Sequence, residues 1–337
     1  MADVHPLSEA ARDHDLSRRA FVRTTVGATA WAVASPLVIV EAAESVIPQT
    51  TSEVESPVVK LFHALDGQQR GRICFPFDHP LRTRVQNHWA IVEPTIRDLS
   101  QEQQSLCRAI FKALCSDDGH GRFLRQMEED DGGFENYHVA LFGTPEADQP
   151  LEWVLTGRHA TLRADARRPE GVGLGGPLFF GHGAPCASKR EGNVWWDLVE
   201  IAQALTKILD NDQLACAFPA RIPKNPSRPI PGAGLGLAIA ELGPAPKQVV
   251  RQLLEALMRP FRRFEVPVIQ SCLREPSGLD QLRLSFFKDR GGEPGAHRAG
   301  DRTWDCWKLE GPGFAWYFHG HPHVHSWIHF ATLTSDV

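Results

Sequence analysis

The sequence predicts an α+β fold in which helices flank an antiparallel or mixed sheet with many loops. Apolar residues make up 42% and charged residues 23% of the 337 residues, a balance that is typical of a globular protein. Helical and extended segments follow one another without the regular alternation that a doubly wound parallel sheet requires. The 28 glycines and 25 prolines predict many loops between short elements.

Three segments have the apolar spacing of amphipathic helices. The first, Ser100–Cys115, begins with a capping box of the form Ser-x-x-Gln, and Asp118-Gly119 is predicted to end it. The second is predicted over Asn193–Leu209. The third, Pro246–Arg259, has a proline in its first turn and ends before another proline.

Short apolar runs between these helices predict strands. Their length and their bounding turn residues favour extended structure over helix. Residues 219–246, rich in proline and glycine, predict a long irregular loop, and the glycine-rich residues 171–177 predict a flexible turn. The candidate strands are Tyr137–Phe142, Trp153–Leu155, Ala160–Ala164, Leu282–Phe287, Phe314–Phe318 and His323–Phe330.

The N-terminus predicts an export signal. Residues 17–23 read Ser-Arg-Arg-Ala-Phe-Val-Arg, the twin-arginine pattern, and an apolar run with small residues near its end follows them. The alternative is an amphipathic helix that contains Arg-Arg by chance. We therefore expect a signal peptide over residues 1–42, a linker over 43–57 and a single α+β domain over 58–337.

An export signal of this kind has consequences for location and partners. The twin-arginine translocase carries proteins that are already folded, so we expect it as a partner during export and a periplasmic or extracellular mature protein. The apolar run spans Thr24–Val40 and is short for a membrane span, so no stable span is expected in the mature form.

Charge and cysteine usage exclude several classes of protein. The net charge of −5 provides no basic surface for a phosphate backbone, so no nucleic-acid partner is expected. The seven cysteines contain no C-x-x-C pair, which disfavours a thiolate zinc site or a redox dithiol. One or two disulfides remain an option in an oxidising compartment, with a pairing that the sequence does not fix.

A run of histidines near the C-terminus is the strongest chemical signal. Histidine occupies every second position from His319 to His325, and His329 follows on the same predicted face. In an extended chain, alternate residues project from the same face, so neighbouring imidazoles can reach one ion. Such a nitrogen set suits a transition metal, namely Zn, Cu or Fe, and leaves positions for water or substrate.

A third ligand has to come from elsewhere in the chain. His159 is the first candidate because it precedes a predicted strand, and His182 in a glycine-rich loop is the second, ahead of His138 and His88. Nearby, Arg158 is a candidate for holding an anionic substrate group and Tyr137 for donating a proton. For each of these two, a surface charge or a core residue is the alternative.

The same stretches are similar to a family of exported bacterial proteins known as a domain of unknown function, DUF3500. The resemblance runs from about Phe75 to His325, and the order and spacing of its pieces are its specific part. The matching pieces are residues 77–82 (FDHPLR), 99–103 (LSQEQ), 137–145 (YHVALFGTP), 157–162 (GRHATL), 177–181 (PLFFG), 311–314 (GPGF) and 323–326 (HVHS).

The resemblance implies which histidines form the site. The second histidine of the family's G-H-H-L-S-L-N stretch falls on His159, and its N-H-I-H pair falls on His323 and His325. Arg158 replaces the first histidine of that stretch, and Tyr317-Phe318-His319-Gly320 replaces the family's E-Y-D-N. If the family uses those acidic groups, the departures imply an altered or lost activity.

Three hypotheses for the function follow. The first is a metal-dependent hydrolase or oxidoreductase acting on a small molecule at His159, His323 and His325, with His182, His321 and His319 as secondary ligands. The second is a non-catalytic metal-binding or metal-delivery protein. The third is a structural envelope protein with core histidines, whose rings would lie more than about 8 Å apart, beyond reach of a shared ion.

Overall fold

The fold is described by a computed structural model over most of the chain after residue 55. The described residues are 56–146, 149–166, 172–185, 190–218, 236–262, 266–275, 277–287, 306–320 and 323–330. They all belong to one unit, Ser52–Val337. The predicted signal peptide, nearly all of the predicted linker and His321 lie outside the described residues.

A large mixed sheet forms the centre of the fold, which confirms the predicted fold class. Eleven strands make up the sheet in the described part of the chain, in the order β1-β2-β3-β4-β6-β11-β10-β9-β8-β7, with β5 paired to β4. Only β1 and β2 pair in parallel; the other pairs are antiparallel. The strands are β1 Cys74–Phe75, β2 His138–Gly143, β3 Leu151–Gly157, β4 Ala160–Asp165, β5 Gly173–Leu174, β6 Leu178–Gly181, β7 Leu237–Ala238, β8 Arg283–Phe286, β9 Cys306–Gly311, β10 Phe314–His319 and β11 His325–Phe330.

Helices accompany this sheet, and the three predicted ones are present with shifted ends. The predicted capping box at Ser100 is formed, with reciprocal hydrogen bonds between Ser100 and Gln103. Within the described residues the α-helices are α1 Pro57–Ala64, α2 Gly67–Ile73, α3 Gln101–Leu114, α4 Asp117–Asp131, α5 Trp196–Ile208, α6 Asn211–Ala217, α7 Pro244–Met258 and α8 Pro267–Arg274.

The prediction that Asp118-Gly119 ends the first predicted helix is wrong: that helix, α3, ends at Leu114, and Asp118 and Gly119 lie in the first turn of another helix. A new helix, α4, begins there because the Ser116 side chain caps its first turn by accepting a hydrogen bond from the Gly119 N–H. Asp117 and Asp118 in that turn complement the positive end of the helix dipole. Gly119 is required for packing, since a Cβ there would lie 1.8 Å from the Pro260 carbonyl oxygen.

Two segments predicted to be irregular also contain regular structure. In the predicted loop 219–246, the described part contains β7 and the start of α7 at Pro244. In the predicted turn 171–177, β5 pairs with β4 next to Ala164 and Asp165. Both strands have only two residues, so neither contains enough positions for alternation to be recognised in the sequence.

An aromatic cluster packs α4 and α5 against one face of the sheet. Phe180 of β6 lies 4.8 Å from the Trp195 ring and 5.8 Å from that of Phe123, measured between ring centroids. All three side chains are fully or almost fully buried. Because successive residues of a strand face opposite sides, Phe179 points to the other face, on which the C-terminal histidines lie.

Two further properties concern the membrane and the cysteines. No helix in the described ranges is long and apolar enough to cross a membrane. No disulfide joins the six cysteines that the structure describes, and Cys186 lies outside the described residues.

Candidate metal centre

Strand β6 explains why His159 meets the C-terminal histidines. It lies between β4 and β11, so it is hydrogen-bonded to both halves of the sheet. Its Phe180 pairs with Ala160, the residue after His159, and its Gly181 pairs with His325. The two histidines therefore lie at the same end of β6, although 166 positions separate them in the sequence.

His159 occupies the two-residue turn between β3 and β4. Its φ angle of 56° lies in the left-handed region, where histidine is one of the few non-glycine residues that are enriched. The backbone N–H of His159 donates to the Asn87 carbonyl, and its carbonyl accepts from the Gly181 N–H. This turn is thus held from both sides, and the imidazole projects towards β11.

The three imidazoles converge, as the leading hypothesis requires. Ring centroids are 4.5 Å apart for His323 and His325, 5.0 Å for His159 and His323, and 5.1 Å for His159 and His325. One ring nitrogen from each residue lies within 4.8 Å of the other two. Two nitrogens bound tetrahedrally to one ion are about 3.4 Å apart, so small inward movements would complete the coordination.

A carboxylate beneath the site orients His159. The His159 Nδ1 lies 2.9 Å from Oδ2 of Asp130, a residue of α4 that is 8% exposed. Burial alone would raise the pKa of Asp130, but its hydrogen bonds with His159 and Gln126 outweigh burial and lower that pKa. An ionised carboxylate can only accept, so Nδ1 carries the proton and Nε2 presents its lone pair to the site.

Two glycines leave the space in which the rings meet. A Cβ on Gly183 would lie 2.2 Å from Cε1 of His159 and 2.9 Å from Nε2 of both His159 and His323. A Cβ on Gly181 would lie 2.4 Å from the Val324 carbonyl oxygen and 3.0 Å from the His325 ring. The Gly183 N–H donates to the second oxygen of Asp130. The backbone at Gly181 and Gly183 therefore lies close to the rings, and a residue with a side chain at either position would occupy the space in which they meet.

The other two imidazoles are held in the neutral form. Burial, followed by the neighbouring His323 and His159 rings, lowers the pKa of His325 to about 2. Burial and the His159 ring lower the pKa of His323 to about 4. Neutral imidazole is the form that binds metals. The Nε2 atom of His325 is buried and has no hydrogen-bond partner, which is the state expected of a ligand atom awaiting an ion.

Of the secondary ligand candidates, the two that the structure describes, His182 and His319, are not part of this group. Nδ1 of His182 accepts from the Val194 N–H, and its Nε2 lies 3.0 Å from Glu129 Oε2, within ion-pair distance but without the alignment of a hydrogen bond. Both ring nitrogens of His182 thus face other groups. The His319 ring lies beside the site, 6.2 Å from that of His325.

The structure places the two catalytic candidates differently. The Arg158 side chain is exposed, and its positive charge is one of the contributions that lower the pKa of His323. The Tyr137 hydroxyl donates to the Arg158 carbonyl at 2.5 Å, and burial raises the pKa of this phenol well above its usual value. Tyr137 therefore stabilises the turn that carries His159 through this hydrogen bond.

Sequence reasoning missed the residues that support the ligands. Asp130 lies in an acidic run at the end of α4, where a solvated helix end would be the ordinary interpretation. The one available signal was the Ser-Asp-Asp helix start at residues 116–118, which predicts α4 and hence places Gln126 and Asp130 on one face. No pattern in the sequence indicates that this face of α4 contacts His159.

Comparison with known proteins gives one match. A family model described as "Protein of unknown function (DUF3500)" matches residues 48–263. The matched range contains Asp130, His159 and Gly183 and ends before β9, so His323 and His325 lie outside it. The curated proteins and the solved structures give no match to this chain.

Proposed function

This chain belongs to the DUF3500 family, to which no reaction is assigned, and we propose that it is a metal-dependent enzyme acting on a small molecule. Its metal is a transition metal, Zn, Cu or Fe, held by His159, His323 and His325. The observation that carries the proposal is that one ring nitrogen from each of the three histidines lies within 4.8 Å of the other two.

The residues around the ligands fit a metal. The Asp130–His159 contact forms the carboxylate–histidine pair that commonly orients a metal-bound imidazole. The buried, unpartnered Nε2 of His325 would gain a partner on binding an ion. A metal bound by three histidines has coordination positions left for water or substrate, at which it could activate water or exchange electrons.

Burial favours an enzyme over a delivery protein. His159 is 6% exposed and the other two ligands are half-buried, and the turn that carries His159 is fixed by hydrogen bonds to the backbone at Asn87 and Gly181. A delivery site exchanges its ion easily and therefore needs exposed ligands.

The proposal also includes export through the twin-arginine route, which rests on the pattern at residues 17–23.

Elemental analysis of protein purified without chelators tests the proposal. We expect about one equivalent of a transition metal in the wild type, or after incubation of the apoprotein with Zn, Cu or Fe(II) salts. The double variant His323→Ala/His325→Ala should lose it. The matched control is His88→Ala, which removes an exposed imidazole outside the group.

A second variant blocks the metal site sterically while all three ligands are retained. Gly183→Ala places a methyl group between His159 and His323, so we expect metal binding to be lost while the chain still folds. Gly121→Ala in α4 is its control, because a Cβ there meets nothing within 4 Å. Wild-type protein that binds less than a few tenths of an equivalent under all of these conditions would overturn the proposal.

A further inference from the structure

A row of oxidisable side chains leads away from the histidine group on the same face of the sheet. It consists of Trp327 on β11, Tyr317 on β10 and Cys306 on β9. Trp327 and Tyr317 are directly opposite each other in the β10–β11 ladder, and Trp327 is two residues after His325. Two-residue periodicity therefore puts His325 and Trp327 on one face.

Successive members of the row are in contact. Ring centroids are 5.3 Å apart for His325 and Trp327 and 5.4 Å apart for Trp327 and Tyr317, which are contact distances for aromatic rings. The Tyr317 hydroxyl oxygen lies 3.1 Å from the Cys306 sulfur. No gap larger than a van der Waals contact interrupts the path from the metal ligand His325 to the thiol.

Two members of the row are shielded from water, and the third, Trp327, is half-buried. Cys306 is 1% exposed and Tyr317 is 8% exposed, and together with Phe287 they form a small apolar cluster against which Trp327 packs. The chain has only two tyrosines. One, Tyr137, supports the His159 turn, and the other is this member of the row. Indole, phenol and thiol are the side chains that lose one electron most readily, and burial protects the resulting radicals from solvent.

We infer that Trp327, Tyr317 and Cys306 form an electron relay to the histidine-bound metal, which makes the site an oxidoreductase centre with a redox-active ion, Cu or Fe. The inference rests on the proposed metal site and selects between its two reaction classes. A hydrolase would make no use of three oxidisable groups in a row that begins at a metal ligand.

The relay step balances with a peroxide as the oxidant. The oxidised metal ion takes one electron from Trp327, and Trp327 takes one from Tyr317, whose phenol proton is released to water. The Tyr317 phenoxyl then removes a hydrogen atom from Cys306, so the S–H bond breaks and the O–H bond re-forms. Hydrogen peroxide accepts two electrons and two protons to give two waters. One electron and one proton come from the relay, which ends as a Cys306 thiyl radical. The other electron comes from the metal ion, Cu(I) or Fe(II) at the start, which is left one oxidation state higher, and the second proton comes from water.

Radical detection in the copper-loaded full-length protein tests the relay. Copper(II) is bound and its content is measured. The ion is then reduced to copper(I), the reductant is removed, hydrogen peroxide is added, and samples are frozen for electron paramagnetic resonance. We expect an organic radical in the wild type and its loss in Trp327→Phe. In Cys306→Ser we expect a longer-lived phenoxyl signal, because the terminal hydrogen donor is gone. In Tyr317→Phe the phenoxyl signal should be absent.

Matched controls separate the relay from unspecific oxidation. Trp307→Phe changes an indole on the neighbouring strand β9 that contacts Trp316 and Phe318 instead of the row, and it should keep the radical yield. Cys216→Ser, on α6, should do the same. Circular dichroism verifies that each variant is folded.

The outcomes distinguish the two proposals. If the wild type binds none of Zn, Cu and Fe(II), the metal site itself fails and the relay with it. If it binds zinc alone, the metal site stands and the relay is overturned. If copper binds but no radical forms, or if Trp327→Phe gives the wild-type radical yield, the metal site stands and the relay is overturned.

Discussion

Three imidazoles with different surroundings make up the candidate site. His159 is oriented by a hydrogen bond to an ionised carboxylate, whereas His323 and His325 are kept neutral mainly by burial. The first mechanism fixes which nitrogen carries the proton, and the second removes competition between protons and a metal at neutral pH. Asp130 and Gly183, which touch the rings, are therefore as important to the site as the ligands.

At this scale we predict the effect of Asp130→Asn. The amide keeps the size of the side chain but removes the negative charge that favours the Nδ1–H form of His159 and strengthens its Nε2 as a ligand. We expect metal affinity to fall by about 10–100-fold, measured by competition with a chromophoric chelator. Asp131→Asn, a change of the next carboxylate on α4, is the control. Equal affinities for the two variants would contradict an orienting role for Asp130.

Among the elements, the β3–β4 turn matters most for the site. The turn carries His159, and its Arg158 carbonyl accepts hydrogen bonds from the Tyr137 hydroxyl and the Gln126 amide. Gly157 lets the Tyr137 ring approach closely, since a Cβ there would lie 2.3 Å from it. The turn is thus held by hydrogen bonds from Tyr137, just before β2, from Gln126 of α4 and from Gly181 of the neighbouring strand β6.

At the scale of elements we predict the effect of Tyr137→Phe. The variant keeps the ring packing but loses a buried hydrogen bond to the turn. We expect the free energy of unfolding to fall by about 1 kcal/mol and metal affinity to fall with it, measured by urea denaturation and by chelator competition. A drop in turnover with unchanged stability and affinity would instead favour Tyr137 as a proton donor.

Over the whole molecule, the metal would join two distant parts of the chain. His159 belongs to the β2–β4 half of the sheet, and His323 and His325 belong to the C-terminal half; β6 is the strand between them. A ligand that binds only the folded state stabilises it by mass action. The ion would therefore act as a cross-link between the two halves as well as a reaction centre.

Metal removal tests this role at the molecular scale. At a free metal concentration 100 times the Kd, binding should stabilise the fold by about 2.7 kcal/mol, so stripping with EDTA should lower Tm and re-addition should restore it. The His323→Ala/His325→Ala variant should melt at one temperature with and without metal. A variant that still responds to metal would place the stabilising ion elsewhere in the molecule.

Export is also a property of the whole chain. Changing Arg18 and Arg19 to Lys keeps the charge of the N-terminus but removes the twin-arginine pattern. We expect the double variant to accumulate in the cytoplasm as a full-length precursor, detected by cell fractionation and mass spectrometry of the N-terminus. Normal processing and export of this variant would remove the twin-arginine interpretation.

Local patterns predicted much of the secondary structure but little of its assembly. The helix at Ser100 and the strands at 137–142 and 314–318 have caps or apolar runs within a few residues, and they are found with small shifts in their ends. The strands β1, β5, β6, β7 and β9 and the helices α1, α2, α4, α6 and α8 were missed. Two-residue strands have no periodicity, and an Asp-Gly pair is compatible with both a turn and a helix start.

The sequence by itself determined the chemistry that is available: an α+β chain with a possible export signal and histidines at alternate positions of one strand. Alternation needs only the two-residue repeat of extended backbone, so His323 and His325 could be identified as a pair. The tertiary structure alone decided that β6 lies between β4 and β11, that Asp130 reaches His159 and that His182 points elsewhere. Those contacts join residues that are far apart in the chain, and the packing energy of the whole sheet selects them, which no local pattern encodes.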